Sequence, residues 1–239
     1  MDDVFQIILY SGISGITVFL GGILAKLYLA KFQHYTYKVE FNHFITAFGG
    51  GIIVSALALV LVPKGMEELS VIPTAVIFLL GSTTFLILDR YLAQKGGKMS
   101  QLLAMLMDFV PEAIALGAIF ATDTQTGTLL AIFIGMQNLP EAFNSYQDLT
   151  ESGFKSQKAL VVLFLLSFSG IVGALIGYLF LQDQPEITSG LMLFASGGIL
   201  YLIFEDIAPS AKLDKKWLPA FGANIGFLVG IIGEKLIGG

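Results

Sequence analysis

Long apolar stretches separated by short polar connections run along the whole chain. A helix needs about 20 mostly apolar residues to cross the hydrocarbon core of a bilayer. Eight segments meet this length, at approximately 4–30, 42–63, 71–93, 102–122, 126–147, 157–182, 187–210 and 217–237. The strands of a membrane β-barrel would instead alternate in polarity over about ten residues. The pattern therefore predicts an all-α integral membrane protein with eight transmembrane helices, forming one transmembrane domain over residues 1–239.

The composition narrows the surroundings and partners of the chain. Only 13% of its residues are charged and 55% are hydrophobic, whereas soluble domains carry about a quarter of their residues as charged side chains. The formal net charge is -5 and there is no long basic run, which argues against a nucleic-acid partner. Cysteine is absent, so disulfides and thiolate metal sites are excluded. The lipid bilayer is the expected partner, and a homodimer is compatible with the sequence.

Basic residues predict the orientation of the segments. The connections after the first, third, fifth and seventh segments, with their flanks, hold 11 of the 13 basic residues. The opposite side keeps only Lys64 and Lys235. Because cytoplasmic loops are enriched in lysine and arginine, both termini are predicted to be extracytoplasmic. From the compactness of this multi-pass chain, a bacterial or archaeal plasma membrane is the expected location.

Glycine clusters relate the second segment to the seventh. GGGIIVSALALVLVP begins at Gly49 and GGILYLIFEDIAP begins at Gly197, and each runs from glycines to a proline about three turns later. The two segments are predicted to run in opposite directions. Inverted repeats are typical of transporters, so we predict one here. Most other glycines inside the segments are interpreted as sites of close helix packing.

The fourth and fifth segments carry polar residues at bilayer depth. Asp108 and Glu112 lie in MDFVPEAIALG, and Gln137, Asn138 and Glu141 lie in MQNLPEAFNSY. Residues four apart share one helix face. If the two helices are antiparallel, a rise of about 1.5 Å per residue makes Asp108 level with Glu141 and Glu112 level with Gln137. Charged groups at this depth are rare and usually functional, so a polar centre is predicted between these helices.

Prolines beside the acids add another type of ligand. Pro111 cannot donate a hydrogen bond to the carbonyl of Met107, and Pro140 cannot donate to that of Met136. Each helix is therefore expected to bend and to leave a backbone oxygen for a polar partner. The thioethers of the same two methionines are the only soft donors nearby.

Three carboxylates at a low dielectric constant require neutralisation by protons or by a cation. Residues 102–122 and 126–147 contain no lysine or arginine. A divalent cation supplies the missing charge. The alternative is a set of protonated carboxyl groups that hold the helices together, but two matched Pro-Glu elements favour the cation.

At these residues the sequence resembles the ZIP (Zrt-, Irt-like) family of divalent-metal transporters, over nearly the whole chain. The family's fourth helix reads His-Asn-x-Pro-Glu and its fifth reads His-, Gln- or Glu-x-x-Pro-Glu; the aligned stretches here are DFVPE at 108–112 and QNLPE at 137–141. The resemblance implies that divalent metal moves towards the cytoplasm by an elevator-type motion. The metal is then a substrate, and no cofactor is expected.

Departures from the family pattern imply a divergent site. Asp108 replaces the family's histidine, Phe109 replaces its asparagine, and Gly170 stands where many members have a glutamate on the sixth helix. Two ligands of a second metal position are thereby lost, so we expect a single-metal site. Its expected metal-binding residues are Asp108, Glu112, Gln137, Glu141, Met107 and Asn138.

The choice of metal follows from ligand chemistry only in part. Carboxylate and carbonyl oxygens suit Mn²⁺, Mg²⁺ and Ca²⁺, whereas imidazole and thiolate favour zinc and copper. Family resemblance favours Zn²⁺ or Fe²⁺, and the oxygen-rich set favours Mn²⁺, Fe²⁺ or Co²⁺. We therefore hypothesise a selectivity that is broader than that for zinc or displaced from it.

Two other functions compete with transport. An intramembrane hydrolase would need a His-Glu-x-x-His pair or two aspartates in characteristic contexts, and neither is present, so the chain is predicted not to be an enzyme. A degenerate relative that binds metal or protons without transport, as a sensor or regulator, remains open. Glu205 and Asp206 near the end of the seventh segment fit either a metal exit or a solvated interfacial pair.

Overall fold

The computed structural model describes residues 3–32, 38–95, 98–214 and 216–238, and all regular elements in these ranges are helical. The α-helices are α1 (Asp3–Phe32), α2 (Lys38–Ala56), α3 (Val62–Met66), α4 (Val71–Lys95), α5 (Lys98–Thr122), α6 (Thr124–Glu151), α7 (Ser156–Leu166), α8 (Ser169–Leu181), α9 (Pro185–Leu202), α10 (Ala208–Ala211) and α11 (Leu218–Gly233). Short π-helical stretches join α2 to α3 (Leu57–Leu61), join α9 to α10 (Ile203–Ile207) and follow α11 (Glu234–Gly238).

Six helical stretches in the described ranges are long and apolar enough to cross a membrane: Val4–Lys31, Lys38–Met66, Val71–Lys95, Ser156–Leu181, Pro185–Ala211 and Leu218–Ile237. They coincide with six of the segments predicted from the sequence. The chain is therefore an all-helical, multi-pass membrane protein. The two remaining predicted segments correspond to α5 and α6, which have 25 and 28 residues and carry the polar motifs; the apolar part of α5 is Phe109–Thr122.

Reciprocal glycine contacts bring the helices together in pairs. A Cβ atom at Gly51 of α2 would overlap the carbonyl oxygen of Ala223 in α11, and one at Gly226 of α11 would overlap that of Phe48 in α2. The same reciprocal overlap with a backbone oxygen occurs between α4 and α9 and between α5 and α8, at Gly81, Gly197, Gly117 and Gly177. Glycine thus permits backbone contact where no hydrophobic force drives helices together, as the sequence predicted.

The helix pairs form two bundles. The first bundle contains α1, α5, α6, α7 and α8, in which α1 packs on α6 and α5 packs on α8. The second bundle contains α2, α3, α4, α9, α10 and α11, in which α2 packs on α11 and α4 packs on α9. The main contacts between the bundles are α2 with α6 and α5 with α9. The helices that carry the Pro-Glu motifs therefore belong to the first bundle and face the second.

Glycine-to-alanine substitutions test this packing. We expect Gly226→Ala to destabilise the protein by about 1–3 kcal/mol, because the added methyl group forces two backbones apart. The matched control is Gly190→Ala in α9, where the new Cβ would lie 3.6 Å from Ile77 Cδ1, an ordinary contact. Thermal unfolding in detergent measures both, and equal melting temperatures would contradict the close contact between α2 and α11.

Candidate metal site

A tight turn sets α5 and α6 side by side. Asp123 is the single residue between them, and it caps α6 by accepting hydrogen bonds from the Thr126 backbone N–H (3.0 Å) and hydroxyl (2.6 Å). A side-chain cap of this kind satisfies a free N–H group in the first turn of a helix. The turn makes the two long helices antiparallel and fixes which of their residues lie at the same level.

At the centre of this hairpin, Gln137 contacts Glu112. The Gln137 Nε2 donates a hydrogen bond to Glu112 Oε2 at 2.5 Å, and each residue is only 1% exposed. This is the level that residue counting along antiparallel helices predicts for the pair. The Gln137 Oε1 is also buried and accepts no hydrogen bond from the described residues, so it could bind a metal ion.

Glu141 extends the site towards a large cavity. It lies one turn beyond Gln137 on the same face of α6. Met107 of α5 and Glu141 both line a cavity of about 430 Å³ between the bundles. At the bundle boundary the ring of Pro140 packs against α2, where a Cβ at Gly49 would approach its Cγ to 2.8 Å. The site is thus buried at Glu112 and accessible at Glu141.

The charge of the cavity is of one sign. Its lining includes five carboxylates, and none of the described residues that line it is a lysine or arginine: Asp89, Glu141, Asp148, Glu151 and Asp206. A cleft lined by one sign of charge concentrates ions of the opposite sign. The cavity can therefore accept cations and guide them to or from Glu141.

Asn138, one of the predicted ligands, contacts another helix of the first bundle. The Asn138 Nδ2 donates to the carbonyl oxygen of Ser14 in α1 at 3.3 Å, so this amide links α6 to α1 inside the first bundle. Asn138 also lines a void of about 10 Å³ together with Phe109 and Glu141. Asp108 lies in α5, but its side chain is outside the described part of the structure, so its predicted role stays a prediction.

No group of three or more histidine, cysteine, aspartate or glutamate side chains within metal-binding reach occurs in the part of the chain that the structure describes. Of the three residues predicted to cluster, only Glu112 and Glu141 have side chains that the structure describes. The structure thus brings together Glu112, Gln137 and, one turn away, Glu141, while the three-carboxylate cluster remains an expectation.

Phe109 and Gly170, the two departures from the family pattern, are in contact with each other. The ring of Phe109 is 5% exposed and lies against α8, where a Cβ at Gly170 would approach its Cζ to 2.8 Å. A carboxylate side chain at position 170 would therefore collide with this ring. The pairing of a large residue with a glycine supports the expectation of a single metal.

A polar stripe on α6 was only partly recognised from the sequence. Gln137, Glu141, Asn144 and Asp148 recur every three or four residues and thus share one face. The last three line the cavity. This spacing was a readable signal for Asp148, which the sequence analysis missed.

Hydrogen bonds from this side of α6 reach the second bundle. The Asn144 Nδ2 donates to Thr46 Oγ1 at 2.9 Å, and the Asn42 Nδ2 donates to Gln147 Oε1 at 3.0 Å. Asn42 and Thr46 both belong to α2 and line the cavity. Asn42 has no sequence signal of its own, because its role depends on the packing of α2 against α6.

The adjacent acids of the seventh segment differ in position. Asp206 lines the acidic cavity, whereas Glu205 lines a separate groove with Ser82 and Tyr201. Both lie in the π-helical stretch Ile203–Ile207. Asp206 alone is therefore placed to meet a cation that passes through the cavity.

Comparison of the sequence with known proteins finds relatives in one family. The family model of the ZIP zinc transporters matches residues 88–234, which is well over half of the chain. The chain is 32% identical over 110 residues to the zinc transporter GufA of Myxococcus xanthus, a match that covers 46% of this chain and 43% of that protein. It is 28% identical over 128 residues to the zinc transporter YKE4 of Saccharomyces cerevisiae, covering 45% and 37% respectively.

A third relative is more distant. The zinc transporter zipt-7.2 of Caenorhabditis elegans is 22% identical over 131 residues, a match that covers 53% of this chain and 28% of that protein. The matches span less than half the length of each of these relatives. Since the family model covers α5 to α11 and includes both Pro-Glu motifs, the chain belongs to the ZIP zinc transporter family.

A double-mutant cycle tests whether Phe109 fills the space beside Gly170. Gly170→Ala should cost about 1–3 kcal/mol of stability, because its methyl group overlaps the ring. Phe109→Leu in the same chain should recover part of that cost, since the two positions are in contact and couple. Additive losses in thermal unfolding would show that the ring and the glycine do not share this space.

Proposed function

We propose that this protein carries divalent metal ions across the membrane towards the cytoplasm. The observation that carries the proposal is the buried contact between Glu112 and Gln137, one helical turn from Glu141 in an acidic cavity. A buried carboxylate costs free energy unless a partner stabilises its charge. A passing cation meets this requirement. Membership of the ZIP family and the names of the relatives support the same activity.

The proposed site binds one metal ion between α5 and α6. Its proposed oxygen ligands are the carboxylates of Glu112 and Glu141 and the Oε1 atom of Gln137, which accepts no hydrogen bond from the described residues. Met107 lines the cavity together with Glu141. Asp108 completes the set from the sequence. Asn138 is proposed as a marginal ligand: its Nδ2 donates to the Ser14 carbonyl oxygen, and only its Oδ1 could bind a metal.

We propose that the metal selectivity of the site extends beyond zinc. The three relatives described above are named zinc transporters, whereas the described ligands are oxygens and one thioether. Such a set suits Mn²⁺, Fe²⁺ or Co²⁺ at least as well as Zn²⁺. We therefore propose that this chain takes several divalent ions.

The proposed architecture has eight membrane helices related by an inverted repeat. Two observations support it. The close helix pairs occur in two matching sets. The pair α1 with α6 corresponds to α8 with α5, and the pair α2 with α11 corresponds to α9 with α4. The helices before and after the α5–α6 turn therefore pack in the same pattern. In addition, each internal π-helical stretch begins six residues before a proline, at Leu57 before Pro63 and at Ile203 before Pro209.

The two bundles support an elevator-type motion. The site lies on α5 and α6 of the first bundle, which contacts the second chiefly through α2 and α9. The cavity lies near the C-terminal end of α6, around Asp148. The basic residues of the loop that follows indicate that this end faces the cytoplasm. We therefore propose that the described state faces the cytoplasm, with both termini on the other side, and that the first bundle slides against the second to take up metal.

Uptake of Mn²⁺ and Zn²⁺ into proteoliposomes tests the proposal. We expect Glu112→Gln and Glu141→Gln to reduce uptake at least about tenfold, because each removes a metal-binding charge near mid-membrane. The matched control is Glu205→Gln, which removes a carboxylate outside the cavity and should leave uptake unchanged. Equal uptake by all four proteins would refute the site.

The same assay separates transport from sensing. Metal binding without uptake by the wild-type protein would favour the degenerate sensor. Uptake of zinc to the exclusion of Mn²⁺, Fe²⁺ and Co²⁺ would contradict the broadened selectivity but would leave the transport of divalent metal intact.

A further inference from the structure

An ion pair joins the two bundles at the end of the molecule opposite the cavity. The Lys64 Nζ in α3 lies 3.1 Å from Asp123 Oδ2 in the turn between α5 and α6. It also lies 3.1 Å from Glu67 Oε1, one turn along its own segment. Lys64 belongs to the second bundle and Asp123 to the first, so this contact crosses the boundary between them.

Each partner is anchored in its own bundle. The carbonyl oxygen of Lys64 accepts a hydrogen bond from the Ser189 hydroxyl of α9 at 3.2 Å. Asp123 caps α6 through Thr126. Burial disfavours the charged form of Asp123, but the hydrogen bonds from Thr126 and Lys64 outweigh it and hold its pKa below the usual value. The pair therefore connects two rigid supports, with side chains 28% and 34% exposed.

The ion pair lies at the end of α6 that is far from the cavity. Asp123 precedes the first residue of α6, and Asp148 of the cavity lies 25 residues further along the same helix, which is about 38 Å at 1.5 Å per residue. On this side the bundles are also in contact through Phe133 of α6, since a Cβ at Gly233 of α11 would lie 3.0 Å from its ring. The structure is thus open at the cavity and closed near Lys64.

We propose that the pair of Lys64 and Asp123 is an extracytoplasmic latch, which holds the outer face closed while the cavity is open and separates each time metal is loaded from outside. The proposal rests on the two-bundle motion of the proposed function. While the latch is closed, the Lys64 ammonium group also neutralises the carboxylates of Asp123 and Glu67. Neither carboxylate then attracts an external cation. Sliding of the first bundle must break the contact, because its two ends are fixed to different bundles.

Cross-linking tests whether the pair must separate. The chain has no cysteine of its own, so introduced thiols are unambiguous. In Lys64→Cys/Asp123→Cys, a short reducible bifunctional thiol reagent spans the gap that the lysine arm spans in the wild type. We expect cross-linking to abolish uptake of Mn²⁺ and reduction to restore it. The matched control, Lys64→Cys/Ser189→Cys, links the same position within the second bundle and should keep its uptake.

Charge removal tests whether the pair biases the two states. Asp123→Asn removes the charge and keeps a good helix cap. Leu129→Cys, buried in α6 at 1% exposure, reports opening of the outer face through its labelling rate with an impermeant thiol reagent. In that background, Asp123→Asn should raise labelling about two- to fivefold, the size that a partly exposed ion pair supports. Glu67→Gln, which removes only the partner within the same segment, should not.

The outcomes separate the latch from the function it rests on. Undiminished uptake by the cross-linked Lys64→Cys/Asp123→Cys protein, or unchanged labelling in Asp123→Asn, would overturn the latch and leave transport standing. Absence of metal uptake by the wild type would instead refute the proposed transport.

Discussion

The need to stabilise a carboxylate inside the membrane is the constraint on which the rest of this structure depends. Glu112 is buried at 1% exposure and accepts a hydrogen bond from the Gln137 amide, and a carboxylate in an apolar medium is costly unless polar groups stabilise it. The one-residue turn at Asp123 brings the two helices into register, and the pairing of α5 with α8 and of α6 with α1 encloses them in one bundle. Glycine contacts hold that enclosure together, and Glu141, one turn beyond Gln137, lines the acidic cavity.

The division into two bundles follows from the same constraint. The proposed metal ion beside the buried Glu112 would reach the face opposite the cavity only through movement of the helices, because protein interiors are close-packed. The boundary with the second bundle is where polar contacts collect. Asn42 with Gln147 and Thr46 with Asn144 lie at the cavity end, and Lys64 with Asp123 lies at the other. The neutral pairs line the cavity, whereas the charged pair joins the two bundles at the opposite end.

The sequence predicted those features that repeat along one helix. Apolar runs predicted eight spans, and six of them are long and apolar enough to cross a membrane in the described ranges; counting residues along antiparallel helices predicted the level of Glu112 with Gln137. It could not predict contacts between distant helices. Lys64 is visible only as an isolated basic residue, and its partner Asp123 is 59 positions away. Asp206 and Glu205 are neighbours in sequence, but which of them faces the cavity depends on how their segment packs against the other helices.

The central claim is that one divalent ion binds among oxygen ligands between α5 and α6. X-ray absorption spectroscopy of the protein loaded with Mn²⁺, together with metal analysis, tests it most directly. The account predicts one ion per chain in a coordination shell of oxygens with at most one sulfur, lost in Glu112→Gln. Two ions per chain, nitrogen ligands, or a spectrum that Glu112→Gln leaves unchanged would contradict it.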